Sequence, residues 1–171
     1  QKKFKSTILR LFGFVYWHIV SFVSALCIRN VDVILSPSPP LTIGMLNVWL
    51  GKLKGAKTIY NVQEVYPDIL GKKSGPVFKI LSRMERYIYD NSSAVTTIDK
   101  VFHDTIKDRF RTPENLHIIP NFVDTNLYRP VKETPGLDKS IFFHDNKLKL
   151  LYAGNIGMAQ DWDTLIELAR M

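Results

Sequence analysis

Short apolar runs alternate with longer segments of helical periodicity along most of this chain. The segments that predict strands are residues 32–36, 57–62, 94–98, 116–120 and 148–153, and those that predict helices are 41–54, a segment from Pro76, 100–110 and a segment from Asp161. Parallel strands require a long crossover between them, and a helix usually supplies it. The alternation therefore predicts an α/β fold, with a parallel sheet and helices on both of its faces.

Residues 56–70 contain the most informative strand end. The apolar run Lys57–Val62 predicts a buried strand, and it is followed at once by Gln63 and Glu64. Pro67 then ends the strand, since it lacks an N–H and restricts the residue before it. Ligands of open parallel sheets bind at the carboxyl ends of the strands. We therefore expect Gln63 and Glu64 to take part in the chemistry of this protein.

The composition is that of a globular protein of 171 residues, with 46% hydrophobic residues and a formal net charge of +7. This charge favours anionic partners, although a basic surface kept for solubility explains it equally well. The single cysteine, Cys27, excludes an internal disulfide and fits a reducing compartment. The charges are dispersed along the chain, which argues against nucleic acid as a partner.

No charged residue lies between Leu11 and Ile28, and basic residues flank this stretch on both sides. Its length reaches the threshold for a membrane span. However, His18, Ser21 and Ser24 lie inside it, and positive charge at both ends gives no orientation signal. We therefore predict a non-spanning helix, either buried or lying on a membrane surface with its aromatic side chains in the lipid.

Other polar residues also lie at strand ends or on the predicted helices. Ser36 and Ser38, around Pro37, could bind a ligand or hydrogen-bond within their own turn. Asn121 and Asp124 are expected to cap a turn, and Arg109 and Arg111 to form a solvated helix end. Two sets complete the helix predictions: Lys79, Arg83, Glu85 and Arg86 on the exposed side of the helix from Pro76, and Val101, Phe102, Thr105, Ile106 and Phe110 on the inward side of the next. The histidines (His18, His103, His117 and His144) show no metal-ligand spacing.

Four segments in order resemble bacterial family 4 glycosyltransferases of cell-surface polysaccharide assembly: DVILSPSPPL, YNVQEVYPD, HIIPNFVDTNLYRP and LLYAGNIGMAQDWDTLIELA. The resemblance covers essentially the whole chain. It implies a GT-B fold, in which two Rossmann-like domains face each other. Residues 1–128 would form the acceptor-side domain, 129–147 a linker, and 148–171 the first strand, turn and helix of the nucleotide-sugar domain.

The resemblance also implies an activity. Such enzymes transfer a sugar from a nucleotide-diphosphate sugar to a hydroxyl group with retention of configuration, and they need no obligatory metal or other cofactor. The acceptor is often a lipid-linked glycan at the inner face of the cytoplasmic membrane. A peripheral location there would explain the aromatic stretch 11–28. On the acceptor side, we expect contacts from Ser36, Ser38 and Tyr66.

Several residues that the family uses are replaced in this chain. Many relatives have a His-Asp pair where this chain has Gln63 and Glu64; Glu64 could still orient the acceptor hydroxyl or accept its proton, whereas Gln63 cannot titrate. The resemblance also places Asn121 and Asp124 between the domains. Relatives often bind the donor diphosphate with an arginine and a lysine, where this chain has Asn155 and Gln160. Donor binding would then depend on the backbone at Gly154 and Gly157 and on the helix that begins near Asp161.

Two alternatives remain open at this point. The chain could belong to a GT-B nucleotide-sugar 2-epimerase, which would be soluble, or to a membrane-associated binding domain without a donor site. A dinucleotide-dependent oxidoreductase is poorly supported, because no G-x-G-x-x-G motif follows a predicted strand. The resemblance places a first strand before residue 1 and a pair of donor-binding glutamates after Met171, so these 171 residues alone are not expected to be active.

Overall fold

The computed structural model describes residues 7–68, 74–130, 151–154 and 161–170. The chain divides into two compact units, Gln1–Val123 and Asp124–Met171. The elements in chain order are α1 (Thr7–Cys27), β1 (Val33–Pro37), α2 (Leu41–Lys54), β2 (Lys57–Val62), α3 (Pro76–Asn91), β3 (Ala94–Thr97), α4 (Lys100–Ile106), β4 (Leu116–Ile118) and α5 (Trp162–Arg170).

The strands of the first unit form one parallel sheet in the order β1-β2-β3-β4. Leu35 lies opposite Ile59, Tyr60 opposite Val95, and Thr96 opposite His117. From β2 onward each strand pairs with the one before it in the chain, and a helix (α2, α3 or α4) lies in each of the three connections. The predicted parallel α/β fold is confirmed, with strand bounds that differ from the predicted ones by one or two residues.

The hydrophobic core lies on one face of this sheet. Tyr60, Val62 and Val95 point from the strands into it. Val48 of α2 and Ile88 of α3 pack against them, and each of these side chains is essentially inaccessible to solvent. Burial at this face anchors α2 and α3, and so fixes where the loops before and after them leave the sheet.

Three helix ends were predicted from single residues, and the structure confirms all three. Gly55 ends α2 in the left-handed conformation with φ of 66°. Pro76 occupies the first turn of α3, where its missing N–H has no cost. Asp99 caps α4, because its carboxylate accepts a hydrogen bond from the Phe102 N–H at 2.7 Å.

The predicted faces of α3 and α4 are partly wrong. Glu85, expected on the exposed side of α3, has only 2% of its surface accessible. Val101 and Thr105, expected to face inward, are exposed, and the Thr105 hydroxyl donates to the Val101 carbonyl at 2.7 Å. Helix α4 ends at Ile106, its one buried residue, and the chain continues as a 3-10 helix over Lys107–Arg109.

Helix α1 lies against α2 and leaves most of its apolar surface exposed. It is the one helix among the described residues that is long and apolar enough to cross a membrane, and none of that apolar window is buried within the protein. His18 joins it to α2 through a 2.8 Å contact between Nε2 and the Thr42 hydroxyl. At its C-terminal end, Lys54 Nζ donates to the carbonyls of Leu26 and Ile28.

Little of the second unit is described. The predicted linker 129–147 and strand 148–153 lie largely outside the described residues, and residues 151–153 are not assigned to a strand. The predicted helix is present as α5. Asp161 caps it by accepting hydrogen bonds from the Thr164 N–H at 3.2 Å and the Thr164 hydroxyl at 2.7 Å.

Candidate functional site

The loops that carry the candidate residues leave the same edge of the sheet. Ser38 follows β1, Gln63 and Glu64 follow β2, and Asn121 comes shortly after β4. All strands are parallel, so their carboxyl ends lie together. We define the candidate site as these residues: Ser38, Gln63, Glu64 and Asn121.

Ser38 holds the loop after β2 in place. Its hydroxyl accepts hydrogen bonds from the N–H groups of Gln63 at 3.0 Å and Glu64 at 3.3 Å, and it donates to the Glu64 carbonyl at 3.2 Å. Its own N–H donates to the Asn61 carbonyl at 2.8 Å. These contacts use the donor and both acceptor positions of the hydroxyl. Ser38 therefore positions the backbone of the two candidate residues, and its direct contact with an acceptor remains a prediction.

Gln63 is oriented by Asn121. The Asn121 side-chain Nδ2 donates to Gln63 Oε1 at 3.1 Å, although the two residues are 58 positions apart. The Gln63 oxygen accepts this bond, and its NH₂ group donates no hydrogen bond to the described residues, so it remains a donor for a ligand. The bond brings together a residue predicted for catalysis and one predicted for the domain boundary.

Glu64 has a half-buried side chain that makes no hydrogen bond or ion pair with the described residues, whereas its backbone is bonded on both sides by Ser38. The arrangement thus holds the main chain and leaves the carboxylate available. An unpaired carboxylate at this position can orient a ligand hydroxyl or accept its proton.

Tyr66 and Ser36 lie deeper in the protein. The half-buried Tyr66 packs against the hydrophobic core. Ser36 is within β1, opposite Tyr60, and its hydroxyl is buried without a hydrogen-bond partner among the described residues. For both residues, contact with an acceptor remains a prediction.

Asp68, in the loop after β2, belongs to a charged cluster that the sequence did not reveal. Arg109 donates to both carboxylate oxygens of Glu85 at 2.9 and 3.0 Å, and its other terminal nitrogen donates to Asp68 Oδ2 at 2.5 Å. The Tyr89 hydroxyl donates to Glu85 Oε1 at 2.9 Å. The interpretation of Arg109 as a solvated helix end is therefore wrong.

The cluster has a distinct electrostatic character. Burial raises the pKa of the Glu85 carboxyl, and the neighbouring Arg109 guanidinium opposes that rise. Burial, together with the Glu85 charge, also raises the pKa of the Tyr89 hydroxyl. The spacing of Glu85 and Tyr89, one helical turn apart on a stripe with Leu81 and Ile88, was the signal that could have placed Glu85 inside. Arg109 gives no such signal, because its partners come from distant segments.

The remaining predicted residues belong to the second unit. Asp124 caps a turn, since its carboxylate accepts from the Asn126 N–H at 2.8 Å. Gly154 lies close to Tyr152, whose hydroxyl would be 2.8 Å from an added Cβ. Asn155, Gly157 and Gln160 lie outside the described residues. The hydrogen bonds from Thr164 lower the pKa of Asp161.

Across the described ranges, no group of three or more His, Cys, Asp or Glu side chains is placed to hold a metal ion. The candidate site consists of two amides, a carboxylate and the serine hydroxyl that positions them, at the carboxyl edge of a parallel sheet. Such a site can bind and orient hydroxyl groups, and it has one group able to take a proton.

The profile of Glycosyltransferase Family 4 matches residues 3–127, and the chain belongs to that family. The region matched contains the whole sheet and every residue of the candidate site.

Two curated relatives are similar over most of this chain. The putative colanic acid biosynthesis glycosyl transferase WcaI of Escherichia coli (strain K12) is 28% identical over 175 residues, which cover 96% of this chain and 43% of that protein. The probable glycosyltransferase WbjE of Pseudomonas aeruginosa is 23% identical over 148 residues, which cover 84% of this chain and 37% of that protein. The chain thus spans less than half the length of the curated relatives it matches.

Proposed function

We propose that this chain is the acceptor-side part of a glycosyltransferase of surface polysaccharide assembly. In this proposal the enzyme transfers a sugar from a nucleotide-diphosphate sugar to a lipid-linked glycan with retention of configuration. The observation that carries the proposal is the candidate site itself: Glu64 and Gln63 are held by Ser38 and Asn121 at the carboxyl edge of a sheet that matches the family. The names of both relatives support glycosyl transfer.

Each residue of the candidate site has a role in this proposal. Glu64 orients the acceptor hydroxyl and accepts its proton, since its carboxylate is unpaired among the described residues. Gln63 binds a sugar hydroxyl through the NH₂ group that Asn121 leaves free. Neither role needs a metal or another cofactor. Ser36, Ser38 and Tyr66 contribute contacts to the acceptor in this proposal.

Donor binding falls to the second unit. The nucleotide-diphosphate sugar would meet the backbone at Gly154, Asn155 and Gly157, with Gln160 in place of a cation. Exposed N–H groups at the start of α5 can bind an anion. The Asp161 carboxylate already occupies the Thr164 N–H, so this binding would use the N–H groups around it.

A membrane-bound acceptor is supported by α1. Its apolar side chains are exposed, and the polar His18 in its middle is bonded to α2. Such a helix suits the interface of a bilayer better than its centre. We propose a peripheral location at the inner face of the cytoplasmic membrane. The same apolar surface argues against the soluble 2-epimerase.

The test is Glu64→Gln in the full-length protein. Transfer of labelled sugar to membrane-extracted lipid acceptor is expected to fall by about 10²–10⁴-fold, the usual contribution of a positioned general base. Binding of the nucleoside diphosphate, measured by calorimetry, is expected to stay unchanged. Glu114→Gln is the matched control, because Glu114 is exposed and lies before β4, away from the carboxyl ends of the strands.

Two results would contradict the proposal in different ways. Near-wild-type transfer by the Glu64→Gln variant would remove this carboxylate from the mechanism. A wild-type protein that binds no nucleoside diphosphate would instead favour the non-catalytic binding domain.

A further inference from the structure

Helix α3 carries a row of positive charge along a groove. Lys79, Arg83 and Arg86 are spaced at i, i+4 and i+7, so they lie on one side of the helix. They line a groove with a volume of about 620 Å³, together with Arg111 from the segment before β4. The groove is separate from the candidate site, because none of its lining residues lies at the carboxyl ends of the strands.

The residues that line this groove carry more positive than negative charge. Asp90 is the only carboxylate among the lining residues, and it is already engaged by Arg111, through the Arg111 N–H at 2.8 Å and Nε at 3.4 Å. Lys79, Arg83 and Arg86 form no ion pair within the described ranges. Like charges at i and i+4 repel each other on a helix, so a bound anion would stabilise this row.

Helix α3, which carries the groove, is joined to α2 and through α2 to α1. Lys52 of α2 donates to the Tyr87 hydroxyl at 3.3 Å and to Asn91 Oδ1 at 2.6 Å, which ties α2 to α3. Lys54 ties α2 to the end of α1. The three helices therefore form one layer.

This layer exposes large apolar side chains on each of its helices. Phe12 and Tyr16 of α1 each expose about 70% of their surface to solvent (70% and 71%). Leu53 of α2 and Ile80 of α3 are also exposed. Large exposed apolar patches on a protein often mark an interaction surface. The surface of an anionic bilayer offers acyl chains for such side chains and headgroups for the cationic row.

We propose that the groove along α3 binds the phosphate headgroups of an anionic bilayer, while the exposed side chains of α1 and α2 lie in its interface. The guanidinium groups of Arg83 and Arg86 match phosphate oxygens in a bidentate geometry, and Lys79 adds a point charge. The inference rests on the proposed function and deepens it, because it names the surface on which a lipid-linked acceptor is met.

The experiment is vesicle flotation of the full-length protein. Phosphatidylcholine vesicles with and without phosphatidylglycerol are compared for the wild type and for K79Q/R83Q/R86Q. Each basic residue near such a surface contributes about 1 kcal/mol, so the triple variant is expected to bind anionic vesicles about a hundredfold more weakly. The control K57Q/K100Q/K107Q removes the same net charge from exposed lysines elsewhere and is expected to retain binding.

The proposal is overturned if the α3 variant floats like the wild type, or if the control loses as much binding. It is also overturned if glycerol phosphate or an oligonucleotide binds the groove as tightly as vesicles do. A thermal unfolding curve equal to that of the wild type shows that the variant is folded.

A transfer assay separates this inference from the proposed function. With a detergent-dispersed acceptor, the α3 variant is expected to transfer sugar at the wild-type rate. If the wild-type protein transfers no sugar but its flotation depends on vesicle charge, only the proposed function is refuted. If the wild-type protein transfers sugar but its flotation does not depend on vesicle charge, only the proposed lipid binding by the α3 groove is refuted.

Discussion

Replacing Arg109 by Met tests whether the buried charge cluster stabilises the first unit. The substitution keeps much of the side-chain volume and removes the cation between Asp68 and Glu85. Glu85 would then keep a carboxylate with 2% exposure and, among the described residues, the Tyr89 hydroxyl as its one remaining hydrogen-bond partner. Removing one member of a buried pair usually costs 3–5 kcal/mol. Because the Arg109 side chain is itself 24% exposed, we expect a loss of about 3 kcal/mol in the free energy of unfolding at neutral pH.

The loss is expected to depend on pH in a defined direction. Burial already raises the pKa of Glu85 in the folded protein above its unfolded value, and removal of Arg109 raises it further. The folded state then binds more protons than the unfolded state, so stability falls as pH rises between those two pKa values. At pH near 5, protonation of Glu85 relieves part of the cost. The Arg109→Met penalty is therefore smaller there than at pH near 7.5.

The assay is urea unfolding of the full-length protein, followed by tryptophan fluorescence at both pH values. Arg111→Met is the matched control, since Arg111 is 84% exposed in its pair with Asp90. Its expected cost is below about 1 kcal/mol at either pH. Glu85→Gln in the Arg109→Met background is expected to recover part of the loss at neutral pH. Equal small losses for the two arginine variants, with no dependence on pH, would refute the argument.

Three further predictions concern the candidate site, the packing of α2 and the membrane contact of α1. Ser38→Ala removes the hydroxyl that positions Gln63 and Glu64, so kcat is expected to fall by about tenfold or more with little change in donor KM; a change in KM alone would contradict it. Gly51→Ala places a Cβ 2.2 Å from Thr58 Cγ2 and is expected to cost about 1–3 kcal/mol in urea unfolding, whereas Gly13→Ala, with nothing within 4 Å, is expected to be neutral or stabilising. If α1 lies on the membrane surface, alkaline carbonate extracts the full-length protein from membranes, and resistance to extraction would indicate a span.

Local chemistry made much of the fold predictable. Gly55, Pro76 and Asp99 set helix ends through their own backbone or side-chain geometry, which a sequence displays directly. Apolar runs bounded by prolines and polar residues located the strands to within two residues. The position of Gln63 and Glu64 at the end of β2 followed from the same pattern.

The contacts between distant segments could not be predicted in this way. Glu85 is inside the protein because Arg109 and Tyr89 satisfy its carboxylate, and only the tertiary structure brings Arg109 to it. The Asn121–Gln63 bond likewise joins the ends of two strands that are not neighbours in the sheet. Periodicity reports which side of a helix is apolar, but it does not report which charge has a buried partner.

The strand order has a consequence for synthesis of the protein. Because β1, β2, β3 and β4 are neighbours in the same order in the chain and in the sheet, each new strand finds its template already in place. The sheet can therefore grow by one strand at a time as the chain leaves the ribosome, without waiting for distant segments. Helix α1 emerges before any of them, so its exposed apolar surface can meet a bilayer while the rest of the domain is still being made.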